Sequence, residues 1–296
     1  MGRAASVSII GADIMDGAYN SSASSNRSNL AVRASRLGLD TRVLGFSWNA
    51  NPSNRARRAI VRASRSGVKL MVRDPMSLQR IRHHGAKEAT LVADTVFASL
   101  TAAQAVAEMD SPSGEPNYVV VNASALVARS QSQSDAYHGL IEQLRSLGYG
   151  VVLLPHVLRG ERDNDLTACR EVYSRWTDDA SVRLIERELH PDEVRTVAGN
   201  AAFVVTGRMH LAVMALSRTR PAVVVATQGK VEGLMRYFQL SDFAVNPGSG
   251  FGRELRRAVS ALHAELEQQH LKVKTRLPEV RQLADLNFDG LRDAAV

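Results

Sequence analysis

The chain has 296 residues, of which 45% are hydrophobic and 23% are charged, which excludes wholesale disorder, collagen and coiled-coil rods and favours two domains. Its single cysteine, Cys169, excludes an internal disulfide and a cysteine-based zinc site, and so favours a reducing compartment. The formal net charge is +7, and only five of the 37 basic side chains are lysines. Arginine favours phosphate or carboxylate partners, although a GC-rich codon bias is the simpler explanation of its excess.

The first part of the chain alternates short β-rich runs with helical patterns. Strands are predicted at residues 6–11, 41–46, 69–72 and 90–93, and helices at 27–36, 54–65 and 76–83. The serine-rich stretch 21–28 is interpreted as a flexible loop or a helix entry. Alternation with short connections predicts a parallel sheet covered on both faces. We assign residues 1–112 to this N-terminal α/β domain.

A turn-rich segment at 109–117 (MDSPSGEPN) precedes a second unit of the same kind, which we assign to residues 116–296. Strands are predicted there at 118–121, 151–154, 182–185, 203–205 and 222–225. A helix with apolar positions from Tyr137 to Leu147 ends at Gly148, and another begins at Pro191. The last predicted helix carries Leu255, Val259, Leu262 and Leu266 on one stripe. Two such domains create a cleft, and ligands bind beyond the carboxyl ends of the strands.

No apolar run approaches the roughly 18–20 residues that a membrane-spanning helix needs, and no signal peptide is recognisable. We therefore expect a cytoplasmic protein.

The most informative strand exit is the stretch FVVTGRMHLA at 203–212. An apolar strand ends at Gly207 and a helix begins near Arg208, so Arg208 and His210 are expected to project from a helix N-terminus into the cleft. A guanidinium, an imidazole and a helix N-terminus together suit an anion whose chemistry needs proton transfer. The alternative is a surface arginine and a packed histidine.

This stretch resembles the Arg-x-His signature of the polysaccharide pyruvyl transferase family. Three further segments are similar in order and spacing: MVRDPMS at 71–77, VADTVF at 92–97, and a proline-led strand at 221–225 that is followed by Lys230. The resemblance covers roughly residues 6 to 240. It departs from the family at Thr95, where proline usually follows the aspartate, and in an initial strand and helix that are missing here.

The resemblance implies two doubly wound parallel-sheet (Rossmann-like) α/β domains facing a cleft, as in glycosyltransferases of the GT-B type, with a shortened N-terminal domain. It also implies transfer of a pyruvyl group from phosphoenolpyruvate to two sugar hydroxyls of a cell-surface glycan or its lipid-linked precursor, forming a ketal. Phosphoenolpyruvate is then the donor substrate, and no cofactor or metal is expected. A lipid-linked acceptor would bring the enzyme to the inner face of the membrane, and a homo-oligomer is compatible with this reading.

The donor has a phosphate and a carboxylate that cations must hold while its enol carbon is protonated. We expect Arg208 to bind one of these groups, with Met209 beside it and Arg73 as a second clamp from the other domain. His210 is the candidate general acid and base, because histidine titrates near neutral pH. His156, at the exit of the 151–154 strand, is expected to touch the donor or to position a water. The alternative is a structural role for this histidine.

Asp94 and Asp13 are the candidates for orienting or deprotonating the acceptor hydroxyl, although an aspartate after a strand is commonly a turn former. Lys230 could add an anion contact, or equally be a solvated lysine at a helix end. The glycine-rich stretch 248–252 is interpreted as a hinge in preference to a phosphate cradle. The sequence DND at 163–165 imitates a D-x-D metal motif but is expected to cap a helix.

Three alternative functions stay open. A nucleotide-sugar glycosyltransferase of similar fold would need a diphosphate cradle and an acidic ribose contact, and no convincing pair is found. A nucleic-acid-binding protein is disfavoured, because aromatic residues make up only 5% of the chain and its arginines are spread out. A non-catalytic member of the family is the third alternative.

Overall fold

A computed structural model describes residues 4–98, 117–128, 133–158, 164–226 and 230–291. The chain divides into two compact units: residues 1–100 together with 278–296, and residues 101–277. The predicted domain boundary at 112–116 lies outside the described residues. Within the described ranges, no helix is both long enough and apolar enough to cross a bilayer.

The first unit contains a four-stranded, fully parallel sheet whose strands follow chain order. Its strands are β1 (Ser6–Ile10), β2 (Asp40–Phe46), β3 (Lys69–Val72) and β4 (Thr90–Leu91), and its helices are α1 (Ser21–Arg36), α2 (Asn54–Arg65) and α3 (Pro75–His83). The strand and helix alternation predicted from the sequence is confirmed. The core under these helices includes Val43, Phe46, Trp48 and Ile60, all fully buried.

Polar side chains set the starts of these three helices. Asn20, Ser53 and Asp74 each accept a hydrogen bond from a backbone N–H of the first turn, and Pro75 occupies the first position of α3. The Asn20 cap starts α1 at Ser21, so the serine-rich stretch predicted as a loop or a helix entry is helical. Its serines fit a helix because Ser24 and Ser28 donate hydrogen bonds to carbonyl oxygens one turn earlier.

The assignment of the C-terminal segment to the second domain was wrong, since residues 278–296 group with the first unit. The buried Arg42 donates hydrogen bonds to the backbone oxygens of Asn287 and Asp289. The fully buried amide of Asn287 accepts from the N–H of Gly45 and donates to the carbonyl of Ala93. These hydrogen bonds join the C-terminal segment to strands and loops that lie 194 to 247 residues earlier.

The second unit contains a six-stranded parallel sheet in the order β10-β9-β8-β5-β6-β7. Its strands are β5 (Tyr118–Asn122), β6 (Gly150–Leu153), β7 (Val182–Leu184), β8 (Val204–Thr206), β9 (Ala222–Val225) and β10 (Ala244–Val245). Its helices are α4 (Ala125–Ala128), α5 (Ser134–Ser146), α6 (Asp165–Tyr173), α7 (Pro191–Gly199), α8 (Met209–Ser217), α9 (Val231–Tyr237), α10 (Phe251–Ala264) and α11 (Leu266–Asp285), the last of which continues past residue 277 into the first unit.

All five strands predicted for this unit are present, within about two residues of their predicted ends, and the two-residue strand β10 was missed. The strand order reverses between β5 and β8: β6 and β7 extend from β5 to one side, and β9 and β10 extend from β8 to the other. In open parallel sheets such a reversal leaves a crevice at the carboxyl ends of the two central strands. This position is where the candidate site lies.

Candidate active site

Two polar residues end the strands on either side of the reversal. Asn122 closes β5 and Thr206 closes β8, the two are register partners, and both are fully buried. The Thr206 hydroxyl donates to Asn122 Oδ1 at 3.1 Å and accepts from the backbone N–H of Arg208 at 2.9 Å. The chain leaving β8 is therefore hydrogen-bonded to the end of its neighbouring strand before α8 begins.

Gly207 allows the turn after β8 to pass close to the turn after β5. A Cβ atom at Gly207 would lie 2.6 Å from Cβ of Ser124 and 2.9 Å from a methyl group of Val127. No larger residue fits there without displacing the β5–α4 turn. The glycine therefore places Arg208 at the N-cap position of α8, with Met209 as the first helical residue.

Asp165, the first residue of α6, links several backbone segments of the site through hydrogen bonds. It is completely buried, and its carboxylate accepts hydrogen bonds from the backbone N–H groups of Ala125, His156 and Val157 at 2.9, 3.3 and 3.1 Å. The Asn122 amide adds a further hydrogen bond at 3.2 Å. One carboxylate thus joins the turn after β5, the loop after β6 and the start of α6.

The Arg208 guanidinium completes this cluster. Its Nη2 lies 2.7 Å from Asp165 Oδ1, and its Nε lies 3.1 Å from both carboxylate oxygens. The Arg208 side chain keeps 14% of its surface exposed, whereas Asp165 has none. An anion at this site would share the Arg208 guanidinium with Asp165, and the N-terminus of α8 adds a partial positive charge. The arrangement suits an anion approaching from solvent.

Two imidazoles lie in the same region. His210 is in the first turn of α8 and is partly exposed, as are Arg208 and Met209. His156 follows β6, and burial together with the charges of His210 and Arg208 lowers its pKa to about 4, against the opposing effect of Asp165. Its ring is therefore neutral at physiological pH. Within the described part of the chain, its buried Nδ1 has no hydrogen-bond partner.

Lys230 occupies the N-cap position of α9 and is buried, with 5% of its surface exposed. The alternative of a solvated lysine at a helix end is therefore excluded. A buried lysine supplies a strong point charge, so an anion contact remains the prediction for it.

Two of the predicted site residues of the first unit, Arg73 and Asp94, pair with each other at the carboxyl ends of β3 and β4. Arg73 Nη1 lies 2.6 Å from Asp94 Oδ2, and Arg73 Nε donates to Ser47 Oγ at 2.7 Å. Both members of the ion pair are buried, and Asp94 also caps the 3₁₀ turn that follows it. An anion would have to compete with Asp94 for Arg73, so the clamp role of Arg73 stays a prediction.

Asp13 lies in the turn after β1 and is partly exposed. It accepts a hydrogen bond from the Tyr19 hydroxyl at 3.2 Å. Its exposure, unlike the burial of Asp94, leaves its carboxylate accessible to a substrate hydroxyl.

The family model for polysaccharide pyruvyl transferase matches residues 4–229 of this chain. The chain belongs to the polysaccharide pyruvyl transferase family. A comparison with curated protein sequences finds no significant match.

Similar solved structures include UDP-GlcNAc 2-epimerases and a trehalose-phosphate synthase. The epimerase from Methanocaldococcus jannaschii has a TM-score of 0.56 at 12% identity. The match covers 86% of this chain and 69% of the epimerase chain. The epimerase from Neisseria meningitidis has a TM-score of 0.55 at 11% identity, and the match covers 96% of this chain and 75% of the epimerase chain. The α,α-trehalose-phosphate synthase from Burkholderia vietnamiensis has a TM-score of 0.53 at 12% identity, and the match covers 86% of this chain and 69% of the synthase chain. At these identities the similarity establishes the fold alone, which is that of two parallel-sheet α/β domains of the GT-B type.

In this pyruvyl transferase family member, three residues of the site were missed from the sequence: Asp165, Asn122 and Thr206. Asn122 and Thr206 each end an apolar run with a polar side chain, which was the available signal. In the DND stretch, Asn164 caps α6 through a hydrogen bond to the N–H of Leu166, as expected of a helix cap, and Asp163 lies outside the described residues. Nothing in the sequence distinguished Asp165 from a second capping residue.

The glycine-rich stretch 248–252 leads into the first turn of α10, beside an open cavity of about 580 Å³ that Asp135 and Arg256 also line. Whether it acts as a hinge stays a prediction. Across the described ranges, no group of three or more histidine, cysteine, aspartate or glutamate side chains is arranged to hold a metal ion.

Proposed function

We propose that this protein transfers a pyruvyl group from phosphoenolpyruvate to two hydroxyls of a sugar in a cell-surface glycan or its lipid-linked precursor. The observation that supports this proposal most is the meeting of Arg208, His210 and His156 at the strand reversal of the second unit. A small donor with two anionic groups matches a guanidinium anchored on Asp165, and the buried Nδ1 of His156 is ready for a hydrogen bond from or to a ligand.

The reaction that we propose balances without a cofactor. A proton adds to the methylene carbon of phosphoenolpyruvate, and the first sugar hydroxyl forms a bond to the neighbouring enol carbon. The bond from that carbon to the phosphate oxygen then breaks, and its electron pair leaves with inorganic phosphate. The second hydroxyl bonds to the same carbon and closes the ketal. One of the two hydroxyl protons restores the acid, and the other goes to phosphate or solvent.

The residues of the second unit divide these tasks. Arg208 holds the phosphate or the carboxylate and stabilises the charge that grows on the departing phosphate. His210 donates the proton and recovers one from a hydroxyl, as a general acid and base. His156 is neutral because of its lowered pKa, so it serves as a hydrogen-bond partner and not as a second cation. Lys230 and Met209 are the remaining candidates for donor contact.

The acceptor is assigned to residues of the first unit. Asp13 is the better candidate for orienting a sugar hydroxyl, because its carboxylate is partly exposed, whereas Asp94 is buried against Arg73. Asp94 then acts by positioning the loop after β4. A lipid-linked acceptor would place the enzyme on the cytoplasmic face of the membrane.

A parallel assay with two donors tests the proposal. The protein is incubated with phosphoenolpyruvate or with UDP-GlcNAc, each with a panel of glycosides that carry two neighbouring free hydroxyls, and phosphate and UDP release are followed. We expect phosphate release from phosphoenolpyruvate that depends on the acceptor, together with an acid-labile pyruvate on the sugar. UDP release from UDP-GlcNAc, with phosphoenolpyruvate left intact, would identify the protein as a nucleotide-sugar enzyme instead.

A further inference from the structure

The first three helices carry an unusual charge distribution. Together α1, α2 and α3 contain ten arginines and no aspartate or glutamate. The ten are Arg27, Arg33, Arg36, Arg55, Arg57, Arg58, Arg62, Arg65, Arg80 and Arg82. Since the whole chain has a net charge of only +7, its remaining residues are acidic overall. The positive charge is thus concentrated on the first three helices of the first unit.

Half of these arginines line a single cavity. A depression of about 470 Å³ is lined by Arg36 of α1, by Arg57, Arg58, Arg62 and Arg65 of α2, and by His84. All five arginines are exposed, and within the described residues none of them forms an ion pair with a carboxylate. We call these five side chains the arginine face.

Helix stability explains only part of the arginine face. Arg36, Arg62 and Arg65 lie near helix C-termini, where a cation is favourable. Arg57 instead lies at the start of α2, beside Arg55 and with no acidic residue in the first turn, where the helix dipole opposes a positive charge. Charges that repel one another and oppose the dipole are compensated when a polyanion neutralises them.

The helix that carries Arg36 also has two exposed leucines. Leu30 is 43% exposed and Leu37 is 66% exposed, seven positions apart and therefore on the same side of α1 and its C-cap. The exposed Arg33 lies between them, and Arg36 lines the cavity. Apolar side chains interspersed with guanidinium groups fit a bilayer interface, where leucine enters the acyl boundary and arginine binds phosphate.

We propose that the arginine face, together with the exposed leucines of α1 and its C-cap, docks the first unit onto an anionic lipid bilayer. The charge complementarity is with the phosphodiester headgroups, and the two leucines favour a bilayer over a nucleic acid or a free anion. Docking is peripheral, because the apolar side of α2 is already buried in the core through Ala56, Ile60 and Ala63. The proposal does not depend on which reaction the second unit catalyses.

Vesicle sedimentation of the full chain tests the proposal. The wild type is expected to bind vesicles of phosphatidylcholine and phosphatidylglycerol and not vesicles of phosphatidylcholine alone. The triple variant R57Q/R58Q/R62Q should bind the anionic vesicles about 100-fold more weakly, since each arginine near such a surface contributes roughly fivefold. The variant L30Q/L37Q should still bind the anionic vesicles at low salt, through its arginines. It should lose the vesicle binding that persists at high salt, where electrostatic attraction is screened.

The matched control is R175Q/R253Q/R257Q, which removes three exposed arginines from the second unit. It should bind as the wild type does. A second variant, R36Q/R65Q, should weaken binding about 25-fold, because it removes two of the other arginines that line the cavity. Equal losses in the control, complete release of the vesicles by millimolar inorganic phosphate, or tighter binding to single-stranded DNA than to the vesicles would each overturn the proposal.

Discussion

Replacing Arg208 with alanine should lower kcat/KM for phosphoenolpyruvate by roughly 10²–10³-fold, the usual effect of removing one charged donor from a developing anion. The expected loss is large because the side chain is anchored by Asp165 and needs no reorganisation when the donor binds. Arg208→Lys should recover only a small part of the activity, since an ammonium cannot reproduce the two-point contact to Asp165. Steady-state phosphate release measures both variants.

Arg187→Ala is the matched control in the same unit. Arg187 is 66% exposed and pairs with Glu193 on the surface. Its removal should leave kcat/KM unchanged, because exposed pairs of this kind contribute little. Arg208→Ala also unpairs Asp165, so activity should be measured well below the unfolding temperature of the variant. Unchanged kinetics in Arg208→Ala would remove the donor-binding role from this residue.

Asp165→Ala should destabilise the second unit by about 3–5 kcal/mol, the cost of leaving a largely buried charge without its partner. The carboxylate satisfies three backbone N–H groups, the Asn122 amide and the Arg208 guanidinium, and alanine satisfies none of them. For a unit of this size the loss corresponds to a fall in Tm of roughly 10 °C. Differential scanning calorimetry measures it, and activity should fall with the loss of Arg208 placement.

Glu186→Ala provides the comparison for that experiment. Glu186 is 59% exposed and pairs with the equally exposed Arg170, so its removal should cost no more than about 1 kcal/mol. Asp165→Asn should lie between the two, because the amide oxygen can still accept from backbone N–H groups. If Asp165→Ala melted at the same temperature as Glu186→Ala, the carboxylate would not be the anchor of this site.

Much of the fold follows from local patterns. Apolar runs such as VVLL at 151–154 end at polar or turn residues, and these signals are contained within a few positions of the chain. The C-terminal segment could not be placed in this way. Its position depends on Arg42 and Asn287, which are far apart in sequence and polar in type, and whose pairing only the folded chain reveals.

The residues of the candidate site also divide into those that local sequence patterns predict and those that they do not. Arg208, His210 and His156 could be predicted, because each follows a recognisable strand and parallel strands present their carboxyl ends at one edge of the sheet. Asp165 could not, because its role comes from contacts with Asn122, Ala125 and Arg208, up to 43 residues away. Likewise, the sequence assigned separate tasks to Arg73 and Asp94, which the structure pairs at 2.6 Å.

Binding of phosphoenolpyruvate, followed by NMR of the protein labelled with ¹⁵N at histidine, tests the central claim most directly. The free protein should show a neutral His156 ring with a pKa of about 4. The donor's negative charge favours the imidazolium form, so the pKa of His156 should rise on binding while the signals of His210 move with the same saturation curve. His270, which bonds to Thr219 elsewhere in the unit, should stay unchanged, and Arg208→Ala should abolish the response. Signals of His156 and His210 that do not move at any phosphoenolpyruvate concentration would contradict the account.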